Sequence, residues 1–238
     1  MSKNLPNHVA IIPDGNRRWA RARKLLPWQG HAEGRNRFHE ICETAFQIGI
    51  PFFSFWAASE NNLLKRSRME INFLISLILE EFQGAIQKKV VADKIRLRIL
   101  GDWKNILEDK KLVDLIDDLE NKTKSFTDRN LTIYLGYSGT SELVKAVQEI
   151  VSNRINPEAI DLSLIKGYAW GRELPPVDLE IRTGEERTDW SHRSSGFMML
   201  HNTDSVLHTT KILWPDFLKE KFLQVIEEYS IYERRFGA

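Results

Sequence analysis

Four short stretches hold the residues of this 238-residue chain best suited to chemistry on an anion. The first is Asp14-Gly15-Asn16-Arg17-Arg18-Trp19, followed by Gly30-His31. The second is Ala58-Ser59-Glu60-Asn61, the third Arg182-Thr183-Gly184, and the fourth Arg193-Ser194-Ser195-Gly196-Phe197. Guanidinium groups and the N–H groups of a turn favour phosphate, and a carboxylate beside them can hold a divalent cation. Any one of these stretches alone reads as a solvated loop; four at predicted strand ends point to an anionic ligand. No G-x-G-x-x-G and no G-x-x-x-x-G-K-[ST] occurs, so the dinucleotide and P-loop readings lose their support and a diphosphate is favoured. The histidines form no H-E-x-x-H, and the single cysteine, Cys42, argues against zinc.

The elements that must position these residues alternate along the chain. Val9 to Ile12 reads as a buried strand that stops at Pro13. Phe38, Ile41, Cys42, Ala45, Phe46 and Ile48 give helical spacing over 32–48, with Gly49 as the C-cap. The apolar aromatic run 52–57 predicts a strand covered on both faces. A long helix follows over 69–87, then a strand over 95–100 and a helix over 110–127. Residues 131–135 predict another strand, and Ser141 is read as N-cap of a helix to Val151. A short helical segment runs from Asn156 to Tyr168, a strand spans 177–181, and the last helix runs from Pro215 to Tyr229. Strands alternating with helices predict an α/β fold with a parallel sheet and right-handed crossovers. With no linker or repeat, residues 1–238 read as a single domain.

Composition sets bounds on function. The chain is 42% hydrophobic and 28% charged, as in an ordinary soluble globular protein. A net charge of +1 supplies no global field for nucleic acid, so a basic site must be local. One cysteine allows no internal disulfide and fits a reducing compartment. The N-terminus lacks the apolar region of a signal peptide, and no run reaches the roughly 18 apolar residues of a membrane span. The expected location is cytoplasmic, with peripheral membrane contact open to a protein of hydrophobic substrates.

The chain resembles the cis-prenyltransferase family, whose type member is undecaprenyl diphosphate synthase. The resemblance covers nearly its whole length. It rests on HVAIIPDGNRRWA from His8 to Ala20, Gly30-His31, ASEN from Ala58, PVDLEIRTG from Pro176 to Gly184, LWPDF from Leu213 and ERRFG from Glu233. The resemblance implies about six parallel strands flanked by helices, usually a homodimer, and Mg²⁺-dependent condensation of isopentenyl diphosphate with an allylic prenyl diphosphate such as farnesyl diphosphate. It assigns Asp14 to the Mg²⁺ and, with Asn16, to catalysis. Gly15, Asn16, Arg17, Arg18, Trp19 and His31 fall to the allylic diphosphate, and Arg182, Arg193 and Ser195 to isopentenyl diphosphate. Ser59, Glu60 and Asn61 count among the substrate-binding residues, and the tail from Arg234 to Gly237 reaches the neighbouring subunit's site.

Several positions depart from the family pattern. Val206 stands where an acidic residue normally helps the metal; Asp204, Asp189, Glu185 and Glu186 are the acids that could substitute. Pro27 replaces an arginine ahead of Gly30-His31. ASEN is followed by Asn62-Leu63-Leu64, with Lys65 and Arg66 offset. Residues 185–192 resemble an insertion, which leaves Arg187 as an alternative to Arg193. Trp56, Tyr134 and Leu135 are bulky where the family's product tunnel is often lined by small residues, which predicts a shortened cavity unless the tunnel runs along the 69–87 helix. Two alternatives stand beside the leading reading: transfer of the prenyl group to a different acceptor, and a non-catalytic partner subunit.

Overall fold

A computed structural model describes residues 4–65, 67–186 and 196–232. In chain order the elements are β1 (His8–Ile12), α1 (Asn16–Ala22), α2 (Pro27–Gln47), β2 (Phe52–Ser59), α3 (Glu60–Leu64), α4 (Arg68–Gln83), α5 (Ala85–Ala92), β3 (Ile95–Leu100), α6 (Trp103–Leu107), α7 (Lys110–Thr123), β4 (Arg129–Tyr137), α8 (Gly139–Ser152), α9 (Leu162–Tyr168), β5 (Leu179–Arg182), β6 (Val206–Thr209) and α10 (Lys219–Ile231). The six strands form one sheet in the order β3-β4-β2-β1-β5-β6. Pairing is parallel for β1 with β5, β5 with β6, and β3 with β4.

Contacts along the chain group into two compact units, whose described residues are 4–53, 177–186 and 204–232 in the first and 54–65, 67–176 and 196–203 in the second. In the first unit, β1 is buried along its whole length, as its nearly unbroken apolar run requires. Phe38, Ile41, Cys42, Ala45 and Phe46 make a stripe of i, i+3, i+4, i+7 spacing on α2 and are all buried. Phe222, Val225 and Ile226 do the same on α10, which packs against α2. In the second unit, Leu112, Ile116 and Leu119 of α7 are completely buried and α7 packs on β3.

Several boundaries differ from the sequence reading, each for a physical reason. Helix α2 begins at Pro27 rather than 32, because proline presets the first helical residue and Gln29 Oε1 accepts the Leu26 N–H at 2.9 Å. Gly30 and His31 therefore sit inside a helix and not on a loop. The expected helix over 69–87 breaks at Gly84, whose φ −107° and ψ −105° are non-helical; the apolar period continues into α5 and conceals the break. Ser138, not Ser141, caps α8. Helix α7 ends at Thr123, short of 127, and Pro215 lies in the middle of a 3₁₀ turn (Trp214–Asp216) ahead of α10. Elements that the sequence reading did not anticipate include α3, α6 and β6. All four β6 residues are partly exposed, so no alternation marks the strand, and pairing with β5 alone defines it.

Candidate active site

The turn after β1 is held by its backbone. Ile12 pairs with Arg182, so the turns that follow β1 and β5 leave the sheet side by side. The Asp14 carbonyl accepts from the Trp214 N–H and from Thr183 Oγ1, each at 3.0 Å. Gly15 has φ +112°, and a Cβ there would lie 2.7 Å from Leu213 Cδ2. Gly184 has φ +69°, and a Cβ would lie 2.6 Å from the Asp14 carbonyl oxygen and 2.8 Å from Arg18 Nη2. Both places need glycine for backbone conformation and for space. Among the described residues no side chain caps α1 at Gly15, so its first-turn N–H groups can meet a ligand.

Charge is concentrated on this frame. The Asp14 carboxylate, 46% exposed, faces Arg18 Nη2 at 3.2 Å and Arg182 Nη2 at 3.8 Å. Arg18 also donates to the Gly184 carbonyl at 2.5 Å and pairs with Glu186 at 3.2 Å. The Arg182 side chain is buried, with its Nε 2.8 Å from Oε2 of the equally buried Glu185. A buried guanidinium requires such a partner, because removing one member of the pair costs several kcal/mol, roughly 3–5. Arg17 is exposed and has no ion-pair partner among the described residues. Trp19 Nε1 donates to Asp216 Oδ1 at 2.7 Å, and Arg23 lies 4.2 Å from the Trp19 ring while also pairing with Asp216.

The arrangement suits an anion accompanied by a cation. No group of three or more His, Cys, Asp or Glu among the described residues could cage a metal. One half-exposed carboxylate fits Mg²⁺, which dehydrates reluctantly and takes one or two carboxylates along with phosphate oxygens and water. An acid at position 206 would not join Asp14 within the chain. Val206 pairs with Leu179, three residues before the register of Arg182, which is about 10 Å along the strand.

Comparison with known proteins places the chain. The family model described as "Putative undecaprenyl diphosphate synthase" matches residues 12–237. The chain belongs to the cis-prenyltransferase family. The Pyrococcus horikoshii protein named "Tritrans,polycis-undecaprenyl-diphosphate synthase (geranylgeranyl-diphosphate specific)" is 36% identical, over 98% of this chain and 87% of that one. The "Isoprenyl transferase" of Thermotoga maritima is 34% identical, over 98% of this chain and 97% of that one. Among solved structures, lavandulyl diphosphate synthase from Lavandula x intermedia in complex with dimethylallyl diphosphate superimposes with a TM-score of 0.88 at 27% identity, covering 98% and 99% of the two chains. A probable undecaprenyl diphosphate synthase from Campylobacter jejuni shares the fold, with a TM-score of 0.77 at 23% identity over 99% and 100%. The protein is thus a prenyltransferase, with the anticipated sheet of six parallel strands flanked by helices.

The structure brings Asp14, Gly15, Asn16, Arg18 and Arg182 of this cis-prenyltransferase together in the first unit. His31 is on α2, next to the Gly30 that packs on the Asn16 carbonyl. Ser59, Glu60 and Asn61 belong to the second unit, and two of them have structural partners. Ser59 Oγ accepts the Asn62 N–H at 3.2 Å as cap of α3, and Glu60 accepts from Ser141 Oγ; Asn61 is exposed. Arg193, Ser195, Arg187, Asp189, Arg66 and the tail from Glu233 lie outside the described residues. Sequence reasoning missed Thr183, Leu213 and Asp216 as supports of the turn. The only signal for the last two was the LWPDF motif itself.

In the second unit, Trp56 stacks on Phe197 with ring centroids 4.9 Å apart, and Tyr134 meets Phe197 edge-on at 5.2 Å. Tyr137 joins the group 4.6 Å from Tyr134. Burial, the Glu142 carboxylate and Tyr134 push the Tyr137 phenol far above its usual range, so it stays protonated and donates to Glu142 Oε2 at 2.6 Å. Burial raises the Glu142 carboxyl, opposed by that bond and by the Gly171 N–H at 3.0 Å.

Proposed function

We propose that this prenyltransferase condenses isopentenyl diphosphate with an allylic diphosphate in an Mg²⁺-dependent reaction and builds a short to medium polyprenyl diphosphate. The observation that carries the reading is the Asp14 carboxylate set between Arg18 and Arg182 on a rigid double turn. Breaking the allylic C–O bond places new negative charge on the leaving diphosphate. Fixed guanidinium groups stabilise that charge without reorganising, since their geometry is already set by Gly184, Glu186 and Glu185. Mg²⁺, held by Asp14 together with phosphate oxygens, would neutralise the same charge. Arg17, exposed beside this group, adds a further cation for the diphosphate.

The names of the archaeal relatives favour geranylgeranyl diphosphate as a primer, alongside farnesyl diphosphate. The aromatic group of Trp56, Tyr134 and Phe197 favours limited chain growth, because a packed interior leaves no room for additional isoprene units. A second reading, transfer from a short allylic diphosphate to an acceptor other than isopentenyl diphosphate, draws on the likeness to lavandulyl diphosphate synthase with dimethylallyl diphosphate. Radiolabelled isopentenyl diphosphate incubated with Mg²⁺ and with dimethylallyl, farnesyl or geranylgeranyl diphosphate separates the two. A ladder of labelled products bears out condensation. Diphosphate release without labelled chain growth favours the second reading, and no turnover with any primer refutes both. The proposal extends to a homodimer with peripheral membrane contact, tested by sedimentation and by flotation with vesicles.

A further inference from the structure

Helix α2 presses two glycines against the residue that opens α1. At Gly30 a Cβ would overlap the Asn16 carbonyl oxygen; at Gly34 it would overlap Asn16 Oδ1 and come within 3.0 Å of Trp214 Cδ1. Gly34 is also held by Trp214, whose Nε1 donates to its carbonyl at 2.8 Å. Trp214 is fully buried and its own N–H is bonded to the Asp14 carbonyl, so it couples Gly34 to the Asp14 turn. Asn16 Oδ1 is buried in this contact and has no hydrogen-bond partner among the described residues, although the residue as a whole is partly exposed.

A buried carboxamide oxygen without a donor costs about 1–3 kcal/mol, so stability does not explain why an asparagine occupies this position. The amide has two ends. With Oδ1 against Gly34, its two Nδ2 donors make up the end available to a ligand at the turn that carries Asp14 and Arg18. We infer that Gly34 is a positioning residue: it gives Asn16 the space in which the carboxamide holds Oδ1 inward and presents Nδ2 to the substrate diphosphate. The inference rests on the proposed diphosphate site. Helix α2 supplies no ligand of its own at Gly34; its contribution is the absence of a side chain one helical turn beyond Gly30.

A double-mutant cycle on the full-length enzyme tests this. Gly34→Ala displaces the carboxamide and is expected to lower kcat by about 10²-fold, the cost of roughly 1 Å of misplacement, with KM for the allylic diphosphate changed less than threefold. In an Asn16→Ala background no oxygen remains to be displaced, so adding Gly34→Ala should change kcat less than threefold further. Additive losses would overturn the inference, since they would show that Gly34 acts only through the general packing of α2. Asn16→Asp gives a second check that does not depend on how Gly34→Ala folds. It keeps the inward oxygen and removes the donors, and it should match Asn16→Ala in kcat; wild-type kcat in Asn16→Asp would sink the donor role. If Asn16→Ala itself retains full activity, the site reading fails first, and the Gly34 inference fails with it.

Discussion

Replacing Asp14 by alanine separates the catalytic account of this site from a purely structural one. The carboxylate is 46% exposed and its closest partners are Arg18 at 3.2 Å and Arg182 at 3.8 Å. Ion pairs this open to solvent contribute about 0–1 kcal/mol after screening. The turn itself is held through the Asp14 carbonyl, which alanine keeps. The variant should therefore fold normally, with a melting temperature lowered by no more than about 4 °C. Activity should respond very differently. Loss of one preorganised stabiliser of developing charge lowers turnover by about 10²–10³-fold. The sign of the binding effect is also set by the geometry. Without the carboxylate, Arg18 and Arg182 lose one anionic neighbour while Glu186 and Glu185 stay in place, and the local potential becomes more positive. Diphosphate should consequently bind at least as tightly in the absence of Mg²⁺ while kcat falls. Steady-state kinetics with and without Mg²⁺, a thermal melt and calorimetric binding of diphosphate read all three quantities. Near-normal Mg²⁺-dependent kcat in Asp14→Ala would refute the assignment.

Further outcomes follow from other parts of the fold. Trp56→Ala removes the ring stacked on Phe197 and should lengthen the products seen by chromatography; an unchanged ladder rejects the idea that this group limits the chain. Gly184→Ala forces a left-handed residue to carry a side chain against the Asp14 carbonyl and Arg18. It should cost about 1–3 kcal/mol of stability by chemical denaturation and disable the turn, and wild-type stability would count against the observed geometry. Burial and the Lys166 charge hold the His201 imidazole below its usual 6.5. The folded state then binds fewer protons than the unfolded chain, so stability is lost as pH falls from 6.5 through the lowered value. His201→Gln should flatten that part of the profile, leaving the slope from His208, which burial also lowers. A slope identical to that of wild type would exclude His201 as its source.

The alternation of strands and helices was legible because the apolar patterns that produce it are local. Val9 to Ile12, residues 95–100 and the stripes on α2 and α7 follow from side-chain periodicity alone. Strand β6 was not legible. Its four residues carry no two-faced pattern, and it exists because β5 offers an edge to pair with. The break at Gly84 was hidden for the opposite reason, since the apolar period runs through it. The cap of α8 was misread as Ser141, because either hydroxyl suits an N-cap; in the fold Ser138 Oγ accepts the Ser141 N–H, while Ser141 Oγ is bonded to Glu60.

At the site, the sequence by itself determined which groups are present: a carboxylate, an amide and guanidinium groups after one strand, and an arginine with a glycine after another. Side-chain chemistry and strand ends were enough to point to a diphosphate. Tertiary structure decided which of those groups meet. The register of Ile12 with Arg182 brings together residues far apart in the chain, and the same register places Val206 about 10 Å short of that end. The sequence could not show that Trp19 is bonded to Asp216, that Glu60 is bonded to Ser141, or that Gly34 leaves room for Asn16. Each is a contact between distant segments, fixed by how the elements pack and not by any local preference of the chain.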